Sequence, residues 1–496
     1  MLNAQGTRRQ DRLPLSSHPE LRRTFQDFSS SFTFASVGSS VINSKILSAV
    51  FRLVNGDSCR SESLSNQSLC NTPGRRISKT MQSANNQQQQ ATTARLHYGW
   101  VVVFVGTLTI FACLGLARFA FGMLLPAMRE ALGMSYDEMG FLGTANFSGY
   151  LAAVAMVPLL LRRFSPRQLI ASGLALIAVC MLGIALSGSY LLVVLLYSCV
   201  GIGSGIANIP IMVLVSYWFR RDQRGRAAGL IVVGSGFAII FSGFVIPVLN
   251  ESFGENGWRI SWMVLAVIVL LVASTAALLI RNDPAEKGLS AVGQIRDLEY
   301  DPSANKGSFS SLRILSQLGF LYFSFGATYV IYGTFIVTTM VEEYAFAEAV
   351  AGHFWSWVGF FSLFSGTLFG LLSDKVSRKA GLMTVFGVQT MAYLLAGYKL
   401  GSIALFGSVV LYGVAVFAIP AIMAAAVGDY LGKARAAAAF SIVTFCFAIG
   451  QTIGPALAGM VAESTGTFTG SYLASAVLTG FAMIFAWSLP KPQNSE

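Results

Sequence analysis

The sequence predicts an all-α polytopic membrane protein with twelve crossings, arranged as two six-helix halves related by pseudo-twofold symmetry. Three observations predict it. Of 496 residues, 54% are hydrophobic and only 11% charged, with mean hydropathy +0.62; soluble domains carry about 25% charged residues. Apolar runs of about 20 residues, each long enough to cross a bilayer, recur twelve times. Finally, the chain repeats itself. Gly115-x-x-Arg118-x-x-Phe121 matches Gly326-x-x-Tyr329-x-x-Tyr332 at an offset of 211, and Ile209-Pro210 matches Ile419-Pro420 at 210. Two matches at nearly one offset, from the same ordinal runs, indicate same-direction halves with a binding site between them at mid-depth.

Residues 1–95 come first. They are rich in Ser, Asn, Gln and Arg and end near Gln87–Gln90. Such a segment buries too little to fold and is expected to be disordered. It lacks the pattern of a secretory signal. Met81 begins a shorter leader, so the first 80 residues are a candidate over-extension of the gene.

The twelve runs then follow at approximately 99–122, 138–161, 167–187, 190–217, 226–249, 258–280, 314–339, 349–372, 380–399, 402–425, 436–461 and 468–488. They divide the chain into a first bundle at 96–281, a cytoplasmic linker at 282–312, a second bundle at 313–489 and a tail at 490–496. The linker carries Asn282-Asp283-Pro284 and Asp301-Pro302, turn-forming residues between periodic segments.

Charge fixes the orientation. Of the net +11, the leader holds +7. Beyond it, the loops on the leader's side hold 17 Lys/Arg against three on the other, Arg129, Arg259 and Lys399. Cations concentrate in cytoplasmic loops, so both termini are expected in the cytoplasm. Cations spread over loops do not make a phosphate-binding face, and no nucleic-acid partner is expected.

The six cysteines include no Cys-x-x-Cys pair, and four sit inside apolar runs as small hydrophobes. None of the three histidines has metal-site spacing. No metal or cofactor site is expected, nor an enzyme, since no nucleophile–base spacing occurs.

Arg118 is the residue that breaks the apolar pattern. It lies about 18 residues into the first run, near mid-depth at about 1.5 Å per residue. A cation there costs on the order of 3 kcal/mol and normally faces a cavity or a partner. No Asp or Glu lies deep inside any run; Asp374, Asp429, Glu342, Glu343 and Glu463 all sit at run ends. A central cation without a central acid points to an anionic substrate that supplies the counter-charge. Asn146, Asn208 and Gln451 are intramembrane amides suited to ligand or interhelical hydrogen bonds. Tyr329 and Tyr332, the repeat partners of Arg118 and Phe121, are expected to face the same central cavity.

Motifs narrow the class. Gly370-Leu-Leu-Ser-Asp374-Lys-Val-Ser377-Arg378-Lys379 closes the eighth run and resembles the G-x-x-x-D-x-x-G-R-[KR] loop of the major facilitator superfamily, with Ser377 in place of the second glycine. The corresponding first-half loop, Leu161–Arg167, lacks the acid. Trp218-Phe219 followed by Arg224-Gly225-Arg226-Ala-Ala-Gly229 is similar to the W-F-x4-R-G-x-A-x-G signature of the fifth helix in that superfamily, whose usual fourth-helix arginine is absent here. Arg118-Phe119-Ala-Phe121-x3-Leu125-Pro126-Ala-Met128 resembles its bacterial YbfB-like branch, and so do Gly143-x-x-Asn146 and Tyr329-x-x-Tyr332. The likeness covers about 95–490.

The resemblance implies a monomeric carrier in a bacterial cytoplasmic membrane, working by alternating access on a small-molecule substrate and open to coupling with protons. It implies gating roles for Gly370, Asp374, Arg378, Lys379, Arg224 and Gly225. The first choice of substrate is a small organic anion such as a monocarboxylate. The alternatives are drug or metabolite efflux, favoured by 37 phenylalanines, and a non-transporting membrane receptor.

Overall fold

A computed structural model describes residues 97–293, 310–432 and 435–490. The leader, most of the linker and the tail lie outside the described residues. Twelve helices follow: α1 Tyr98–Leu132, α2 Tyr136–Leu160, α3 Pro166–Leu186, α4 Tyr190–Trp218, α5 Arg221–Phe253, α6 Gly257–Leu279, α7 Ser310–Thr338, α8 Glu348–Lys375, α9 Arg378–Gly397, α10 Ser402–Leu431, α11 Ala436–Thr465 and α12 Thr469–Trp487. The 58-residue apolar stretch Asp222–Leu279 holds two of them. A 3-10 turn at Gly254–Asn256 breaks it, with Gly254 at φ +53°, and each part is long enough to cross.

Helices suit this chain because the lipid interior offers backbone groups no partner outside the segment. Their starts carry caps. Ser135 and Ser165 form capping boxes with Glu138 and Gln168. Ser377 accepts from the Ala380 amide at 3.1 Å, so the residue that departs from the motif glycine caps α9. Apolar side chains such as Val179, Leu271, Phe360 and Val477 remain exposed, as expected of a surface that meets lipid.

Packing repeats between the halves. α1 packs on α5, α2 and α3 on α4, and α3 on α6; α7 packs on α11, α8 and α9 on α10, and α9 on α12. The halves meet reciprocally, α2 against α11 and α5 against α8. Glycines set these approaches. A side chain on Gly115 would collide with Ala238 of α5, and one on Gly326 with the Phe447 carbonyl of α11. Gly122 of α1 lies against the Gly333 carbonyl of α7. These two glycines extend the sequence repeat at its own offset and touch across the pseudo-axis.

The structure departs from the expected runs in three places. α1 continues to Leu132, ten residues further, with Pro126 inside it. The tenth run is broken: helix stops at Ala415 and resumes at Ala418, and the freed Phe417 amide donates to Ser365 Oγ at 3.0 Å. Pro420 lies just past the break, whereas its repeat partner Pro210 sits inside the unbroken α4. The start of the linker is docked. Val292 pairs with Phe219 in a parallel bridge, donating to the Trp218 carbonyl at 2.9 Å and accepting from the Arg220 amide at 2.8 Å.

Candidate functional site

Arg118 lies in a π-helical segment of α1, Phe111–Phe119. Such wide turns interrupt α-helices mostly at functional positions. The guanidinium carbon sits 4.5 Å from the ring centroid of Phe147 and 4.6 Å from that of Tyr150, both on α2. Desolvated cation–π contacts of this kind are worth up to about 2 kcal/mol each, which offsets part of the burial cost. Nη1 donates to Gln451 Oε1 at 3.4 Å. Nε and Nη2 are buried without a partner. None of the ion pairs among the described residues involves Arg118.

Gln451 is brought there by α11, where Gly450 and Gly454 lie against backbone of α7. Its Nε2 is also buried and unpartnered. The Tyr329 hydroxyl lies within hydrogen-bonding reach of the Arg118 guanidinium, though not in ideal geometry, and is a neutral group that leaves the charge unmatched. Asn208 reaches the site indirectly, its Nδ2 donating to Tyr150 Oη at 2.9 Å. The structure thus gathers Arg118, Gln451, Tyr329 and Asn208 around one point between the halves.

Two expected residues stand apart from that point. Asn146 is committed to packing: Nδ2 donates to the Tyr197 carbonyl at 3.1 Å, joining α2 to α4, while Oδ1 is buried without a partner. Tyr332 does not face Arg118. It is fully buried, its hydroxyl 2.8 Å from Ser408 Oγ and its ring stacked 4.0 Å from Tyr412. Residues three apart nearly share a helix face, but the remaining offset is enough for Ser408 and Tyr412 to hold Tyr332 in the second half's own core.

The motif residues lie on the cation-rich face. Arg378 pairs with Asp374, and with Asp429 of α10 at 2.6 Å, tying the ends of α8, α9 and α10 together. Lys379 Nζ sits 5.7 Å from the Trp487 ring centroid. Arg224 Nη2 donates to the Ser216 carbonyl at 3.0 Å, capping the end of α4. Gly370, Gly225 and Gly229 face open space, with no helix packed closely on them.

The opposite, cation-poor face is closed. Arg129 of α1 and Tyr136 of α2 converge on Glu342 Oε2, beyond α7, at 2.7 and 2.8 Å. The Tyr136 amide donates to Glu463 of α11 at 2.8 Å, and Asn250 of α5 to Glu348 of α8 at 2.8 Å. Gly243 and Gly352 lie against each other between α5 and α8, as Gly140 and Gly459 do between α2 and α11. A cleft of about 640 Å³ beside this closure is lined by Arg129, Glu130, Glu342 and Glu348, among others, and Arg118 is not part of it. The close glycine approaches between halves therefore lie at mid-depth or on the cation-poor side, while Gly225, Gly229 and Gly370 on the other side face open space.

Sequence reasoning missed Phe147, Tyr150, Phe447 and the Arg129–Tyr136–Glu342 cluster. A signal existed for the first three. Phe147 and Tyr150 are one turn apart on the run that carries Asn146, and Phe447 lies one turn before Gln451. The cluster had none, because charges at run ends look alike until helices are placed.

Chemically, Nε–H and Nη2–H lie along one edge of a guanidinium, the edge that binds a carboxylate through two parallel hydrogen bonds. The free edge of Arg118 fits one carboxylate.

Comparison with known proteins agrees with this architecture. A family model described as the uncharacterised MFS-type transporter YbfB matches residues 110–487. Monocarboxylate transporter 2 of Rattus norvegicus is 23% identical over 402 residues, covering 77% of this chain and 81% of that protein. The phosphoglycerate transporter protein of Salmonella typhimurium is 26% identical over 227 residues, 44% of this chain and only 48%, about half, of that protein. Among solved structures, a bacterial homologue of the human lysosomal transporter Spinster, in an inward-facing, unoccupied conformation, superposes with a TM-score of 0.60 at 16% identity. It covers 79% of this chain and 97% of that one.

Proposed function

We propose that this chain, which belongs to the family of the uncharacterised MFS-type transporter YbfB, carries small organic anions, monocarboxylates above all, across the membrane by alternating access. The observation that carries the proposal is the Arg118 edge: two buried donors, Nε and Nη2, with no well-formed hydrogen bond and no acid paired to the charge among the described residues, the neutral Tyr329 hydroxyl alone lying nearby. A buried unpaired cation is costly, and a substrate carboxylate completes it. The names of the two relatives, a monocarboxylate and a phosphoglycerate transporter, support a carboxylate-bearing cargo. Among the described residues Arg118 is the one cation at this point, so a single negative charge is matched and a phosphorylated acid leaves charge over.

Loop charge supports a cytoplasmic location for the cation-rich face, in a bacterial cytoplasmic membrane with both termini inside. The state described is then open to the cytoplasm and closed outside by the Arg129–Tyr136–Glu342 cluster. Each chain encloses its own site, which favours a monomer. Gly370 and Gly225, which face open space here, approach other helices in the opposite state, where Asp374, Arg378, Lys379 and Arg224 hold the inner helix ends in place.

The test is binding and uptake of monocarboxylates by purified protein and proteoliposomes, for wild type, Arg118→Lys and Arg118→Gln. Hydrogen bonds to charged groups are worth about 1.5–3 kcal/mol each, so removing both weakens binding by about 100-fold or more. Lys keeps the charge and one bond, losing about tenfold. The melting temperature of Arg118→Gln is expected to hold, since an uncompensated charge has been removed. Wild-type binding by Arg118→Gln, or its mere unfolding, sinks the anion reading.

A further inference from the structure

We infer that the site prefers aromatic carboxylates, whose flat ring stacks on a ledge of parallel rings beside Arg118. This rests on the carboxylate reading above and specifies the rest of the anion.

The ledge consists of Tyr322, Phe325 and Tyr329 of α7 and Phe447 of α11. Phe447 lies 4.5 Å from Tyr322, 5.6 Å from Phe325 and 5.8 Å from Tyr329, and Phe325 lies 4.7 Å from Tyr329, all between ring centroids. The interplanar angles in these four pairs are 10–17°. Aromatic neighbours adopt edge-to-face as readily as offset-stacked geometry. A group of four facing one way is therefore a surface with a single orientation, on which a further flat ring adds without disturbing the others.

Its position relative to the cation is set by the same two helices. Phe447 precedes Gln451 by one helical turn and so shares its face, and Gln451 Oε1 accepts from Arg118 Nη1. Tyr329, within electrostatic reach of the guanidinium, is itself a member of the ledge. The three α7 rings are buried, whereas Phe447 is only partly covered. Phe147 and Tyr150 are already taken up by the guanidinium, so the ring surface left for a ligand is on the α7–α11 side. A carboxylate seated on the Nε/Nη2 edge places its substituent within reach of that side.

The experiment compares benzoate with cyclohexanecarboxylate. The two share a charge, a carboxylate and nearly a volume, and differ in the π-system. Stacking beyond area burial predicts benzoate binding about fivefold tighter to wild type by calorimetry. Phe447→Leu should bring the ratio to about one while both acids still bind, and Phe447→Tyr should preserve the preference. Arg118→Gln should abolish binding of both. Melting temperatures check that each variant is folded. Equal binding of the two acids to wild type overturns the inference, as does an unchanged ratio in Phe447→Leu. If pyruvate binds and neither six-membered acid does, the aromatic inference fails while the anion reading stands. If no carboxylate binds wild type, the anion reading itself fails.

Discussion

Glu342→Ala should unlatch the closed face. In the structure, Glu342 Oε2 receives Arg129 Nη1 at 2.7 Å and Tyr136 Oη at 2.8 Å, so one atom joins the π-helical turn Thr339–Glu343 that follows α7 to both α1 and α2. The side chains of Arg129 and Glu342 are 30% and 21% exposed, and an ion pair that wet is worth about 0.2–1 kcal/mol. The tyrosine hydroxyl adds a bond to a charged acceptor, about 1 kcal/mol after allowing for the same exposure. Arg129 also lies over the Tyr136 ring at 4.0 Å, and that contact survives the substitution. The sum is about 1–2 kcal/mol, a shift of roughly 5–30-fold in the equilibrium between closed and open. Spin labels at Gly188 and Thr467, one in each half on the cation-poor face, report it as a distance distribution in a cysteine-free background. A longer-distance population should grow by that factor. If the distribution is unchanged, the charge cluster does not hold the face shut, and the glycine approaches with the Asn250–Glu348 and Tyr136–Glu463 bonds do so.

Those contacts make the next prediction. A Cβ at Gly243 would overlap the Gly352 carbonyl and Ser356 Oγ, so Gly243→Leu should populate the open distance as strongly as Glu342→Ala, in the same measurement, with binding of the anion retained. Asp374→Asn removes one arm of the Arg378 network but leaves Asp429 in place. Transport rate in proteoliposomes should fall several-fold with Kd nearly constant; normal turnover with collapsed affinity would contradict a gating role.

Much of this protein was legible in its sequence because the physics involved is local. Bilayer thickness sets run length, so twelve crossings could be counted. Ser135, Ser165 and Ser377 cap helix starts, a local signal that the run boundaries did not use. The offset of 211 between Gly115 and Gly326 exposed the repeat, and Arg118 stood out by its cost at mid-depth. What surrounds Arg118 was decided by tertiary structure. Gln451 lies 333 residues away, and only the close approach of α11 to α7 at glycine brings it in. A repeat gives depth but not rotation, which is why Tyr329 reaches the cation and Tyr332 turns into its own bundle. The π-helical turn at Arg118 and the docked linker have no local pattern to mark them, whereas the break in α10 sits where Pro420 denies the Val416 carbonyl its helical partner. The closed face depends on the relative tilt of two six-helix bodies. Charges at run ends become a latch only once that tilt places Arg129 and Tyr136 on Glu342.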